Sequence, residues 1–156
     1  YKRIPIDAAF VYDIKYMNKD SLRVITDTGW YLIDTATGDF LQLSQYSRAS
    51  LLHYDASADR MAFVFAGDRR GRSTLSLTET ATGSAVTVEI SGTVLDVACH
   101  NGYTAVLTDR SLLCYSNTGE LISESAVESG EQGVLAADGQ YVVLTGKRHA
   151  RYVKIS

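Results

Sequence analysis

The side chains that could perform chemistry are few in this chain and stand apart from one another. Its three histidines, His53, His100 and His149, do not have the spacing of metal ligands. Its two cysteines, Cys99 and Cys114, do not form a Cys-x-x-Cys pair. No Gly-x-Ser-x-Gly nucleophile motif is present. The sequence therefore predicts no catalytic residue, no metal site and no cofactor, and we expect a protein that is not an enzyme.

Aspartates recur in short polar segments at Asp20, Asp59 and Asp138. Repeated carboxylates can bind cations, but no Asp-x-Asp-x-Asp run of the kind that binds calcium accompanies them. The alternative is that each side chain accepts a hydrogen bond from its own turn. We expect turn capping at these positions.

Two basic segments are the most unusual chemical feature. They read Asp-Arg-Arg-Gly-Arg over residues 68–72 and Lys-Arg-His-Ala-Arg over residues 147–151. A guanidinium group can bind a carboxylate or phosphate through two parallel hydrogen bonds. The candidate binding residues are Arg69, Arg70, Arg72, Lys147, Arg148 and Arg151. These residues form either a site for an anionic partner or two solvated turns without one.

The composition is that of one soluble globular domain spanning residues 1–156, with 46% apolar and 21% charged residues. The net charge of −3 and the lack of aromatic residues among the basic segments argue against nucleic acid as a partner. No apolar run approaches the roughly 18 residues of a membrane span, so we expect no direct membrane insertion by this segment. A membrane tether outside it would be compatible with the sequence.

A turn signature repeats along the chain and indicates the elements that position these residues. Thr-Gly pairs at residues 37–38, 82–83 and 118–119 lie about 40 residues apart, which is the period of β-propeller blades. A turn rich in Asp and Asn lies near the middle of each interval. The sequence predicts an all-β, propeller-type array of about four four-stranded antiparallel blades. Their repeats cover residues 8–43, 48–90, 93–125 and 132–156.

The second strand of each repeat is a nearly continuous apolar run, which is typical of a strand buried on both faces. We therefore expect Val24, Val64, Val106 and Val143 to be among the most buried residues. Both basic segments fall between the second and third strands, so they should lie on one face of the molecule. The cysteines fall on the first and third strands of one repeat, too far apart for a disulfide.

Glycines should supply positive φ angles at the turns. We expect this at Gly38, Gly83 and Gly119 between the third and fourth strands, and at Gly102 and Gly139 between the first and second.

The fourth repeat ends before its last strand. Residues 1–6 could complete that blade from the other end of the chain and close a four-bladed ring. Alternatively, the four repeats are half of a larger ring. The sequence leaves both arrangements open.

Two segments carry a family resemblance: Ser-Ala-Asp-Arg-Met-Ala-Phe at 57–63 and Ala-Ala-Asp-Gly-Gln-Tyr-Val-Val at 136–143. They resemble the entry into the second blade strand in WD40-like, TolB-like and quinoprotein-like bacterial β-propellers. The segment at 31–38, Tyr-Leu-Ile-Asp-Thr-Ala-Thr-Gly, is similar to another element of that group. The Gly-His and Trp-Asp dipeptides of standard WD40 proteins are absent.

The resemblance implies a scaffold rather than a particular chemistry. We expect a non-catalytic protein-binding or scaffolding module. The alternative is a propeller that binds a small anionic ligand, or acts as an enzyme, through the basic face. A tyrosine-lined or bare apolar face would favour the first function, and clustered carboxylates and histidines would favour the second. Membrane-tethered relatives favour an extracytoplasmic location slightly over the cytoplasm.

Overall fold

The computed structural model describes residues 3–48, 50–100, 102–137 and 140–155, which form fifteen β-strands and no helix. Each strand pairs antiparallel with the next one within four separate sheets, which we call blades 1 to 4. Consequently, the described part of the chain contains no helix long and apolar enough to cross a membrane.

The strands follow chain order within every blade. Blade 1 contains β1 (Val11–Tyr16), β2 (Ser21–Thr26), β3 (Gly29–Asp34) and β4 (Phe40–Gln45). Blade 2 contains β5 (Leu51–Ala56), β6 (Arg60–Ala66), β7 (Arg72–Glu79) and β8 (Ala85–Ser91). Blade 3 contains β9 (Val94–Cys99), β10 (Tyr103–Thr108), β11 (Ser111–Ser116) and β12 (Leu121–Ala126). Blade 4 contains β13 (Glu131–Ala136), β14 (Tyr141–Gly146) and β15 (Ala150–Lys154).

The glycine turns agree with the sequence between the third and fourth strands. Gly38, Gly83 and Gly119 have φ angles of 77°, 71° and 83°, which other residues adopt at a cost. The expectation for Gly102 was wrong, because its φ is not positive and an ordinary residue can adopt its conformation. Gly139 lies outside the described residues.

The hydrophobic core lies between consecutive blades. Trp30 and Ile25 of blade 1 pack with Met61 and Phe63 of blade 2. A second cluster joins blades 2 and 3, and a third joins blades 3 and 4. Among the described residues, no hydrophobic cluster joins blade 4 to blade 1. The blades therefore form an open arc.

This arc explains which second-strand valines are buried. Val24, Val64 and Val106 are 3%, 0% and 0% exposed, as the apolar runs predicted. The expectation was wrong for Val143, which is only partly buried. Its side of β14 faces away from blade 3, where no further sheet covers it.

The first described residues do not complete blade 4. Ile4 and Ile6 instead pack against Val24, Tyr31 and Ile33, on the face of blade 1 that points away from blade 2. Blade 4 keeps three strands, with β15 as its edge. Tyr1 and Lys2 lie outside the described residues.

The cysteines occupy the positions that the strand pattern predicted. Cys99 is on β9 and Cys114 on β11, with β10 between them. Both are buried and free, so the expected absence of a disulfide between them is confirmed.

Candidate binding surfaces

The first strand of each blade lies at the inner edge of the arc, since β9 contacts both β5 and β13. Two strand aspartates connect neighbouring blades there. Asp55 accepts a hydrogen bond from the backbone N–H of Cys99 at 2.7 Å, and Asp96 accepts one from Val134 at 2.9 Å. These carboxylates thus satisfy backbone donors across the junctions of blade 2 with blade 3 and of blade 3 with blade 4. Sequence reasoning missed both, and the only signal was a single Asp inside an otherwise apolar strand.

A groove of about 390 Å³ follows these inner strands. Its lining includes Tyr54, Asp55, Asp96, Cys99 and His100. Burial raises the pKa of the Cys99 thiol, so this sulfur is protonated and a poor nucleophile at neutral pH. Among the described residues, no hydrogen bond in this groove joins a nucleophile to a base.

Bare apolar side chains continue this inner surface on blade 1. We call them the β1 ridge, and they are Phe10, Val11, Tyr12, Ile14 and Tyr16, between 46% and 69% exposed. Sequence reasoning missed the ridge, because an apolar strand pattern alone predicts burial.

Side-chain contacts fix the ridge at both of its sides. The carboxylate of Asp27, itself buried, accepts hydrogen bonds from the backbone N–H groups of Ala9 at 3.1 Å and Phe10 at 3.2 Å. Tyr12 stacks on Tyr54 with ring centroids 5.8 Å apart, and the Tyr54 hydroxyl donates to the Tyr12 carbonyl at 3.1 Å. Since Tyr54 also lines the groove, the Tyr12 part of the ridge adjoins the groove. Ile14 and Tyr16 instead pair with Val24 and Leu22, on the side of blade 1 that faces away from blade 2.

The basic cluster of blade 2 is on the β6–β7 turn. Arg69 and Arg70 are exposed there. Arg72 forms an ion pair with Glu89 on the neighbouring strand β8. Arg69, Arg72, Asp68 and Glu89 line a groove of about 340 Å³. The structure thus brings the three arginines to one loop, together with two carboxylates.

The basic segment of blade 4 is divided between the β14–β15 turn and strand β15. Lys147 and Arg148 are exposed on the β14–β15 turn. Arg151 instead bonds Glu131 through both guanidinium sides, from Nε to Oε1 at 2.8 Å and from Nη2 to Oε2 at 2.9 Å. The side chain of Glu131 is fully buried, and the Arg151 hydrogen bonds lower its pKa. Arg151 therefore has an internal partner.

The two basic turns occupy equivalent ends of blades 2 and 4, and the whole of blade 3 stands between them in chain order. No hydrogen bond or ion pair found among the described residues joins one turn to the other.

Glu128, Glu131 and His149 present potential ligand atoms within 4.8 Å of one another. The guanidinium of Arg151 already forms ion pairs with both carboxylates, with Nε 3.4 Å from Glu128 and 2.8 Å from Glu131. This cluster is therefore better described as an ion-pair network than as a metal site.

Comparisons with known proteins identify the architecture. No protein-family model and no curated protein sequence matches the chain. The computationally designed protein Ika4 is 14% identical with a TM-score of 0.70, over 97% of this chain and 94% of that one. BamB from Moraxella catarrhalis is 14% identical with a TM-score of 0.59, over 92% and 42%. The chain has a β-propeller fold.

A further propeller match comes from a structure of S. cerevisiae Dbp5 bound to Nup159, Gle1, IP6 and ADP. Its matching chain is 16% identical with a TM-score of 0.63, over 92% of this chain and 44% of that one. This chain therefore spans less than half the length of two of the three propellers described here, and nearly the full length of Ika4.

Proposed function

We propose that the chain is a non-catalytic protein-binding module and that the β1 ridge, with the adjoining groove, is its binding surface. The observation that carries this proposal is the exposure of five apolar side chains on β1 and at the residue before it, from Phe10 to Tyr16. Contiguous apolar surface of this kind marks interaction sites in soluble proteins. Tyrosine is also enriched where proteins bind one another.

The chemistry of the groove supports binding rather than catalysis. Asp55 and Asp96 are held by backbone N–H groups of the next blade, so they act as structural acceptors. The buried Cys99 thiol accepts from Thr104 at 3.9 Å, and its raised pKa disfavours the reactive thiolate. The partner we propose is a protein, and the net charge of −3 disfavours nucleic acid.

Fold-level similarity is consistent with this function. The structure of Dbp5 bound to Nup159 contains a similar propeller within an assembly of proteins. The turn segments at 57–63 and 136–143 support placement in the WD40-like, TolB-like and quinoprotein-like superfamily. A propeller presents protein partners with its loops and inner surface on a rigid frame.

Affinity measurements on paired variants test the proposal. A partner captured from the source cell extract is purified and titrated against the wild type and the double variant Phe10→Ser, Tyr16→Ser. We expect the double variant to lose at least about tenfold in affinity, because interface aromatics commonly contribute more than 1 kcal/mol each. Leu121→Ser is the matched control, since Leu121 is 52% exposed on blade 3 and outside the ridge. Equal affinity of the double variant and the control would refute the proposed surface.

A second candidate is an anionic ligand at the basic turn of blade 2. The specific observation is the 340 Å³ groove that Arg69 and Arg72 line. Pyrophosphate titrated by calorimetry is the probe, and its binding should weaken as NaCl rises. The double variant Arg69→Ala, Arg70→Ala should abolish the signal at an unchanged melting temperature, whereas Arg148→Ala on blade 4 is the control and should leave it intact. Unaltered heats in the double variant would eliminate this candidate.

A further inference from the structure

Blade 4 exposes an apolar face on the side away from blade 3. Strand register places Leu135, Val143 and Tyr152 in one row across its three strands. Leu135 is 59% exposed and Tyr152 is 72% exposed, and Tyr141 on the same side is 42% exposed. No described residue covers this row.

The same positions are covered in blade 3. There the corresponding row is Ala98, Ala105 and Cys114, and these side chains are 3%, 0% and 1% exposed because blade 4 packs on them. The uncovered row of blade 4 therefore occupies positions at which this fold receives the next blade.

A tyrosine that begins the second strand repeats in both blades and strengthens this correspondence. Tyr103 starts β10 as Tyr141 starts β14. The Tyr103 hydroxyl lies 2.9 Å from the carbonyl oxygen of Ala137 and 2.8 Å from that of Tyr141, both in blade 4. Tyr141 occupies the position in blade 4 that Tyr103 occupies in blade 3, and it faces outward from the arc.

The acceptor for such a hydrogen bond also repeats. Arg23 of blade 1 donates to the carbonyl of Ser57 at 2.7 Å, and Ser57 follows β5 as Ala137 follows β13. The first residue after the inner strand is thus an acceptor at two junctions. Met17 holds this place in blade 1, where it follows β1.

Blade 1 exposes a complementary face at the other end of the arc. Register aligns Ile14, Val24, Tyr31 and Leu43 across its four strands. The two outer members, Ile14 and Leu43, are 60% and 52% exposed. In blades 2, 3 and 4 the equivalent side of the sheet packs on the preceding blade.

We propose that two copies of this chain associate with blade 4 of each against blade 1 of the other, which closes one ring of eight blades. The open side of blade 4 is the side on which a following blade packs, and the open side of blade 1 is the side that packs on a preceding blade. A head-to-tail contact therefore covers both faces at once. Two such contacts related by a two-fold axis close the assembly without leaving a free face. BamB, of which this chain covers 42%, has the chain length that about two such arcs need.

The association competes with the N-terminal segment. Ile4 and Ile6 cover the middle of the blade 1 face, over Val24, Tyr31 and Ile33. A second copy must displace them before its own blade 4 can pack there. This displacement costs free energy, so we expect dimers to form only at high protein concentration.

Sedimentation velocity over a concentration series tests this proposal. We expect the mass to rise from 17.0 kDa to twice that value in the wild type. Leu135→Lys on blade 4 and Leu43→Lys on blade 1 should each remain monomeric, since a charge would be buried in both contacts. Leu121→Lys, on neither face and similarly exposed, is the matched control and should dimerise.

Mixing the two interface variants distinguishes this geometry from others. A dimer of one Leu135→Lys copy with one Leu43→Lys copy retains one intact contact, so the mixture should associate although neither variant does alone. A dimeric Leu43→Lys protein would mean that blade 4 pairs with itself, and would overturn the proposal. A folded wild type that stays monomeric at every concentration would also overturn it.

Discussion

At the scale of single residues, charge alone does not distinguish a binding side chain from a structural one. Arg148 and Arg151 are three residues apart in the same basic segment. Arg148 is exposed on a turn, whereas Arg151 also donates to the Ala126 carbonyl at 3.1 Å besides bonding Glu131. Arg151 is therefore a stabilising residue of the junction between blades 3 and 4.

Removing the Arg151 guanidinium should destabilise the fold through Glu131. We expect Arg151→Met to lower the free energy of unfolding at neutral pH by about 2 kcal/mol, because it leaves a buried carboxylate without its cation. Arg148→Met should change it by less than about 0.5 kcal/mol. Urea denaturation of both variants measures the difference, and equal stabilities would contradict the structural role of Arg151.

The same pair should make stability depend on pH in one direction. The folded-state pKa of Glu131 is lowered from its ordinary value of 4.5, so the pair stabilises the fold above that value. Its contribution is lost as the pH falls through the folded-state pKa. The stability gap between the wild type and Arg151→Met should therefore narrow in acid, and a gap that widened there would contradict this assignment.

The basic segments were recognisable from the sequence, but their partners were not. Glu131 lies 20 residues before Arg151, and only the pairing of β13 with β14 and of β14 with β15 brings the two together. The hydrogen bonds that Asp55 and Asp96 accept depend in the same way on contacts between blades. Residue types thus predicted candidate chemistry, and tertiary neighbours decided which side chains remain available.

At the scale of strands and turns, local signals were strong. The Thr-Gly turns and the apolar second strands were predictable because turn geometry and pleat alternation act within a few residues. Val143 shows the limit, since its strand has the same pattern as β10 but lacks a neighbouring sheet. Tyr152 is exposed for the same reason.

The turn glycines give a prediction at this scale. A Cβ at Gly119 would lie 2.9 Å from a methyl of Val86 and 3.0 Å from one of Val88, at a φ of +83°. We expect Gly119→Ala to lower the free energy of unfolding by about 1–2 kcal/mol. Gly102→Ala, with no atom within 4 Å and an ordinary φ, is the control and should be near neutral. Thermal or urea unfolding of the two variants measures this difference in stability.

At the scale of the whole molecule, the arc has a protected middle, an uncovered face on blade 4 and a face on blade 1 whose centre is covered by Ile4 and Ile6. All six residues of β10 are buried, whereas β1 exposes most of its side chains and β15 is a free edge. The sequence predicted the blades but left open whether they close on themselves, because closure depends on contacts between distant ends. The β1 ridge is a consequence of that open arrangement.

Cross-linking from a single ridge position tests the central claim, protein binding by the β1 ridge, most directly. Phe10 is replaced by photoreactive benzoylphenylalanine, which preserves an aromatic ring at a position that is 65% exposed. A second protein with the same group at Arg70, on the exposed basic turn, is the control. Both are irradiated in extract of the source cell, and mass spectrometry identifies the products. The account predicts one discrete protein attached at position 10 and none at position 70; attachment at position 70 alone would contradict it.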